Sequence, residues 1–587
     1  MAKGKPSKKE SEPDDANAAF DVNCERYGLT AKWRDFSRWQ RRLQKSNRFG
    51  QLQRCFGAGQ NSPLAWGISS VEFEADAAAA LQFSYKLARR SQKKIFESDI
   101  CQQQVREYLA EVEPELGEAV SSSLRSVHLA QLAPVLIGYA PTEMGWPLLE
   151  KLCQQVEQSQ EATFANPRVE QLLQQELPLT LAYQLSEMES FRPLVSAAAN
   201  EWEKSLTRWL DEAGTLEMRW WPQHRAIFAG WIRVYRLLRL LGQPEPADEA
   251  RQRMIGLFRQ TQRAACSNGE TLLIPQDLSS GFRRLIRLAE SLLVEKAGLR
   301  DRSKKKRIAA LGSSAEAVGL TLMQTRWGNR SAKIGLQHDG QQFAMHLWRA
   351  QSLLQGECFP EIRVGSHCLK PRDRWEVSCW HGDHDVQVLD LELKLDRGVC
   401  LDRTIVMGVD DEFLFMADTV SCEEPQEVTY SLDLPLAAGI TARAESETCE
   451  YYLINHERLI SLVLPLAAPE WKNARGSASL EGTPRKLTLQ QTAKGKSLYA
   501  PLFFDLKPNR SLSARTWRPL TIARRRTIVP SDVAVGYRVR IGYKQWLLFR
   551  SFGQQEPYTV LGKHLLCEFY IGRIEPDQSI TDLIRIG

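Results

Sequence analysis

The sequence lacks any paired-cysteine signature. Its 587 residues include twelve scattered cysteines and no CxxC pair, which excludes a small disulfide framework and a zinc ribbon. No apolar run reaches the roughly 18 residues that a spanning helix needs. The first residues, MAKGKPSKKESEPDD, carry no apolar core of a secretory signal. Net charge is small as well: +6, from 77 basic and 71 acidic residues. Over this length that is too slight to argue for nucleic acid. GxxxxGKS, GxGxxG, GxSxG and HExxH are all missing, so phosphate-cradle, dinucleotide, serine-hydrolase and zincin chemistry have no support. Unpaired thiols and the missing signal predict a cytoplasmic protein without a membrane span. No feature sets an oligomeric state.

What is present divides the chain. Its length predicts two or three domains. Residues 1–17 read as a disordered charged tail. Residues 18–298 repeat apolar positions every three or four residues and predict helices over 75–97, 100–112, 123–140, 146–160, 167–189, 191–211, 223–241, 245–266 and 280–296. Pro134 should kink or end the third of these. Short Gly- and Pro-bearing links suit antiparallel helix pairs, an α/α toroid-like domain. Residues 299–315, with the run LRDRSKKKR, read as a basic linker. From 316 to 587 the pattern is alternating and β-branched, an antiparallel β-sandwich. Hairpins are expected around Gly408–Asp411, Ala493–Lys496 and Gly542.

The stretch 334–357, IGLQHDGQQFAMHLWRAQSLLQGE, marks the change from helix to strand. His338 beside Asp339 at a strand end is a possible acid–base unit. His346 shares a strand face with Ala344 and Trp348 and reads as a core or interface histidine. The cluster WHGDHD offers His381 and His384 to a divalent metal, with a third ligand needed from elsewhere. In the helical half, GTLEMRWWPQHRAIFAGWIRVY concentrates Arg219, Trp220, Trp221, His224, Arg225, Trp231 and Tyr235. Arginines neutralise carboxylates or sulfates, and aromatic faces stack on sugars. Trp221, preceding Pro222, should be extended. A last group, Arg515, Arg518, Arg524, Arg525, Arg526, Arg538 and Arg540, offers a polyanion-binding face.

Helices first, long antiparallel strands second and a histidine-bearing strand pair at the junction: this order resembles the heparinase II/III-like polysaccharide lyases. The resemblance implies an α/α toroid followed by a β-sandwich, and β-elimination on uronic-acid polysaccharides. A base takes the proton next to a carboxylate, and a neutralising group stabilises the enolate. Aligned on Leu353 and Leu354, the family's HxHxD strand places its second histidine, a metal ligand in some members, at His338. Its first histidine falls on Leu336 and its aspartate on Gly340. The aspartate of the next strand falls on Gly356. The strand LDRTIVM is similar to the family's HxR strand, with Leu401 for the histidine and Arg403 retained. GTLEMRWWPQHRA is similar to a toroid segment with a Tyr-His pair, His224 matching the histidine and Gln223 standing in the tyrosine's place. Tyr235 is the nearest candidate tyrosine.

The resemblance thus implies His338, His224 and Tyr235 as catalytic residues. Arg219, Trp220, Trp221, Arg225, Asp339 and Arg403 would be substrate-binding, with acidic polysaccharide or another polyanion as partner. The lost motif residues point to a degenerate lyase site. An active lyase and a non-enzymatic cytoplasmic scaffold are the competing expectations.

Overall fold

The computed structural model describes residues 36–55, 97, 99–110, 120–274, 282–293, 311–328, 330–553 and 556–587. The tail 1–17, all but the last residue of the helix expected at 75–97, and the basic run 299–307 lie outside them. The chain forms two compact units: residues 1–216, 223–258 and 279–298 in one, residues 217–222, 259–278 and 299–587 in the other.

The first unit is helical. In chain order it holds α1 (Phe36–Gln44), α2 (Arg48–Cys55), α3 (Asp99–Ala110), α4 (Val120–Tyr139) and α5 (Thr142–Glu161). Then comes α6, which runs Pro167–Glu170, Gln171–Glu176 and Leu177–Gln184. α7 (Phe191–Trp209), α8 (His224–Leu240), α9 (Asp248–Ala264) and α10 (Phe282–Leu293) follow, α9 reaching into the second unit. Pro134 does not end α4, which continues to Tyr139. Instead Gln40 and Gln44 of α1 donate to the carbonyls of Ile137, Gly138 and Ala140, satisfying acceptors that a helix terminus leaves open. The middle of α6 is a π-helical turn, Gln171–Glu176, with every residue buried. Two of its polar side chains are matched across the unit: Arg233 lies on Glu176 at 2.6 and 3.0 Å, and Gln171 donates to the Ile227 carbonyl at 2.8 Å.

The second unit is a stack of antiparallel sheets. The first sheet takes β1 (Ser313–Ala315), β2 (Leu320–Gln324), β3 (Ala332–Gln337), β4 (Ala344–Arg349) and β5 (Ser352–Glu357) in that order. The large sheet includes β6 (Glu361–Val364), β7 (His367–Cys368), β8 (Glu376–Gly382), β9 (Val386–Lys394), β10 (Cys400–Gly408) and β11 (Phe413–Pro435). It continues with β12 (Thr441–Ala444), β13 (Tyr451–Asn455), β14 (Arg458–Pro465), β15 (Ala478–Gly482) and β16 (Lys486–Asp505). A third sheet joins β17 (Arg515–Pro519), β20 (Ala534–Ile541), β21 (Lys544–Ser551), β24 (Phe569–Ile574) and β25 (Ile580–Ile586). The fourth is β18 (Ala523–Arg524), β19 (Thr527–Ile528), β22 (Tyr558–Val560) and β23 (Lys563–Leu565).

Strand alternation explains the layering, because successive residues face opposite sides. Leu389, Leu391 and Leu393 of β9 pack with Leu336 and Leu347 of the first sheet. Val386 and Val388 of the same strand pack with Val539 and Trp546 of the third. The centre of the large sheet, at β9, β10 and the first half of β11, is therefore buried on both faces. The outer face of the first sheet, at Leu320, Leu322 and Trp348, is covered by Met218, Trp221 and Leu272.

The hairpin around Gly408 forms, closing on the pair Gly408 and Phe413, and so does the one at Gly542. No hairpin forms at Ala493–Lys496. β16 runs straight through it, paired along most of its length with β11, and the extra residues are absorbed by a register shift between Ser421 and Gln426. Glycine and lysine there accommodate an irregularity in the ladder rather than a reversal.

Candidate functional site

His338 follows β3 and is buried. Its Nε2 lies 3.0 Å from Thr321 Oγ1, which meets Ser314 Oγ at 2.8 Å. Burial pushes the imidazole down to about 4, so it is neutral at pH 7. Asp339 is exposed on the turn that follows.

One strand further on, His346 sits in a directional chain that links distant parts of the sequence. The Leu273 N–H donates to His346 Nδ1 at 3.0 Å. Nδ1 is thus the unprotonated nitrogen, and the proton of the neutral ring is on Nε2. Nε2 lies 2.7 Å from Ser352 Oγ, and Ser352 donates onward to Glu270 Oε2 at 2.5 Å. On the Nε2 side each proton points away from the imidazole, the ring N–H toward Ser352 and the serine hydroxyl toward Glu270. The serine hydroxyl is therefore held by the carboxylate and is not poised to be deprotonated by the histidine. No sequence signal links Glu270 to Ser352.

The positions where the lyase pattern calls for histidines carry leucines in one apolar core: Leu336 and Leu401 are both fully buried. Gly356, where an aspartate is expected, has a φ of 143°, and a Cβ there would meet Pro435 Cγ at 2.9 Å. Arg403 is fully buried too. It lies on Asp418 at 2.7 and 2.6 Å, donates to the Cys358 carbonyl at 2.8 Å and stacks over Phe343 at 4.4 Å. Tyr430 donates to the same carboxylate at 2.7 Å. All the donors and acceptors named here face each other inside the sandwich, so the arginine in this geometry ties β10 to β11 and to the segment that follows β5.

The Trp/Arg segment is divided by the structure. Met218–Gln223 is a 3-10 turn, so Trp221 is compact rather than extended; its Nε1 donates to the Leu272 carbonyl at 3.0 Å. Arg219 is exposed, pairs with Glu217 at 2.7 Å and lies 5.4 Å over the Trp220 ring. In the helical unit, His224 and Arg225 are buried on the first turn of α8. Burial, with Arg225 beside it, pushes His224 down to about 3, and Arg225 stacks over Phe282 at 4.2 Å. Tyr235 stacks on Trp202 at 5.7 Å and donates to Glu245 at 2.7 Å. Burial and that carboxylate raise its phenol above the ordinary value.

Among the described residues, neither candidate metal histidine belongs to a group of three ligand side chains. His381 pairs with Asp383 at 3.1 Å, and the exposed His384 with Asp385 at 3.3 Å. Among the described residues, the three side chains close enough to share an ion are Glu392, Cys400 and Asp402. The described cysteines are all free thiols, and no helix among the described residues is long and apolar enough to cross a membrane.

The C-terminal arginines split by strand parity. Arg515 points toward the sandwich and binds Glu450 and Glu445 at 2.7 and 2.9 Å, and Arg524 pairs with Glu556. Arg518 and Arg538 stand directly opposite each other, with Thr516 opposite Arg540. Arg538 donates to Gln545 and Arg540 to the Gly542 carbonyl. Among the described residues, no carboxylate reaches Arg518, Arg538 or Arg540, nor the exposed Arg525 and Arg526.

No protein-family model matches the sequence, and no curated protein matches it. Solved structures do match the fold. A heparan sulfate lyase from Pedobacter heparinus aligns with a TM-score of 0.56 at 10% identity, over 92% of this chain and 95% of that one. One heparinase III structure aligns with a TM-score of 0.56 at 9% identity over 92% and 95% of the two chains. Another gives 0.56 at 8% identity over 82% and 83%. The fold is that of heparinase III-type lyases, a toroid-like helical domain followed in sequence by an antiparallel β-sandwich.

Proposed function

We propose that this chain binds acidic polysaccharide, or another extended polyanion, on a lyase-type fold whose elimination site has degenerated. The observation that carries the binding is the arginine face of β17 and β20. Like charges directly opposite in a ladder destabilise it by a few tenths of a kcal/mol to about 1 kcal/mol. Here Arg518 and Arg538 occupy such a pair without a carboxylate from the described residues to offset it. A bound row of sulfates or carboxylates supplies that charge, and arginine forks suit both. The similar structures are proteins named for heparan sulfate or heparin, which are polymers of this kind.

The degenerate site is supported by Leu336 and Leu401 in the core and by the burial of His338 and His224. β-Elimination needs a base within reach of a sugar proton. An imidazole enclosed among Thr321 and the strand backbone does not meet that need. Titration with heparan sulfate and chondroitin sulfate tests the binding, and ultraviolet absorbance of an unsaturated uronate product tests the chemistry. Binding without product is the expected result. Absence of binding to every acidic polymer removes the proposal. Product formation that His338→Ala abolishes would restore a working lyase site.

A further inference from the structure

Two hairpins of the second unit end side by side. Arg349, Ala350 and Gln351 form the tip between β4 and β5, and Asn455, His456 and Arg458 belong to the tip between β13 and β14. The cavity they border has a volume of about 450 Å³, within the roughly 300–1,000 Å³ of small-molecule sites. Leu459, Ile460 and Pro508 supply its apolar lining.

Three independent features mark the cavity. The first is charge. Arg326 and Arg349 share the single carboxylate of Glu412, and no carboxylate among the described residues reaches the exposed Arg458. Burial, then the like charges of Arg326 and Arg458, hold the Arg349 guanidinium below its ordinary value. The second is an unfinished amide pair. Asn455 Nδ2 donates to Gln351 Oε1, and Gln351 Nε2 and Asn455 Oδ1 then have no partner among the described residues. Exchanging N and O in both amides leaves the same remainder, one donor and one acceptor. The third is backbone strain. His456 and Glu457 form the two-residue turn at φ of 43° and 70°, and Ala350 has a φ of 65°. Turns of this kind ordinarily take Asn-Gly, and side chains held in such conformations concentrate at ligand sites.

We propose that this cavity binds one acidic sugar residue. Its carboxylate meets Arg458, its C–H face lies on Leu459, Ile460 and Pro508, and the Gln351–Asn455 pair, whose free donor and acceptor are closed to solvent, turns toward it to gain a carboxylate and a hydroxyl partner. A ligand needs both an anionic acceptor and a hydroxyl donor to complete the amide pair, which a bare anion cannot do. The assignment rests on the acidic-glycan reading and gives it a residue-sized site besides the arginine face.

The experiment titrates the full chain by calorimetry with an unsulfated uronic-acid disaccharide, its carboxyl-reduced neutral counterpart, sodium sulfate and heparan sulfate. The acidic disaccharide is expected to bind, and the neutral one at least tenfold more weakly. Arg458→Ala should weaken the acidic disaccharide at least tenfold, with Arg458→Lys recovering part of the loss. Circular dichroism of both variants confirms their fold; Arg458 is exposed, so its removal leaves the core intact. If the chain binds heparan sulfate but the disaccharide either fails to bind or ignores Arg458→Ala, the cavity assignment falls and the polyanion reading stands. If neither ligand binds, both fall. Full displacement of the disaccharide by an equal concentration of sulfate would overturn sugar recognition.

Discussion

Arg403 and Asp418 stand directly opposite each other in the β10–β11 ladder, and the guanidinium meets both carboxylate oxygens at 2.7 and 2.6 Å with neither side chain exposed. Removing one member of a buried pair leaves the other charged and unmatched, at a cost of about 3–5 kcal/mol. Arg403→Ala should therefore lower the urea midpoint sharply. Heparan sulfate affinity per folded molecule should stay unchanged, as measured by titration under native conditions. A selective loss of affinity in a chain of normal stability would instead make Arg403 a ligand contact.

Acid should destabilise the protein before its carboxylates titrate. Burial lowers His338 and His346 to about 4 each in the folded chain, against about 6.5 unfolded. Between those values the unfolded chain binds the extra protons. Each histidine's contribution is therefore complete above about pH 6.5 and is lost as pH falls toward 4, by up to roughly 3 kcal/mol. Thermal midpoints measured from pH 7 to pH 4 should fall, and His338→Gln should flatten that dependence. A midpoint indifferent to pH across this window would contradict the burial.

Gly230→Ala reverses what helix propensity suggests. In an exposed helix interior, alanine is better than glycine by about 1 kcal/mol. Within α8, a Cβ at Gly230 would lie 2.0 Å from Gln171 Oε1 and 2.5 Å from Arg168 Nη1. Overpacking of this kind costs about 1–3 kcal/mol, and the π-turn's link to the Ile227 carbonyl is the first contact at risk. Thermal unfolding of the variant should show a lower midpoint for the helical unit.

Arg518→Ala with Arg538→Ala should separate stability from binding. Relieving the like-charge pair leaves the melting temperature unchanged or slightly higher. Heparan sulfate affinity should fall, and log affinity should depend less steeply on log salt, because fewer counterions are released. Equal affinities and slopes for variant and parent would place the polymer elsewhere.

Much of the architecture was legible in the sequence because periodicity is a local property. The apolar spacing located the helices from Asp99 onward to within a few residues, and alternation located the strands. The failures were also local rules overridden by distant partners. Pro134 does not stop α4, whose terminal carbonyls find glutamines of α1. Gly495 does not turn the chain, because β11 pairs with β16 on both sides of it.

The site was far less legible. Sequence order and composition determined the helix-then-sheet fold class, the Gly408 and Gly542 hairpins and the residue types available for anion recognition. Only the tertiary structure decided what those residues face. A turn centred on Gly408–Asp411 would set Arg403 opposite Met416; the ladder closes on Gly408 and Phe413 instead, and that shift brings Asp418 to the arginine. Likewise a histidine at a strand end, such as His338, reads the same whether it lines a cleft or a core. Sheet stacking and the distant Thr321, Leu273 and Ser352 placed His338 and His346 inside. Those partners are set by register and layer packing, which residue spacing along one strand does not encode.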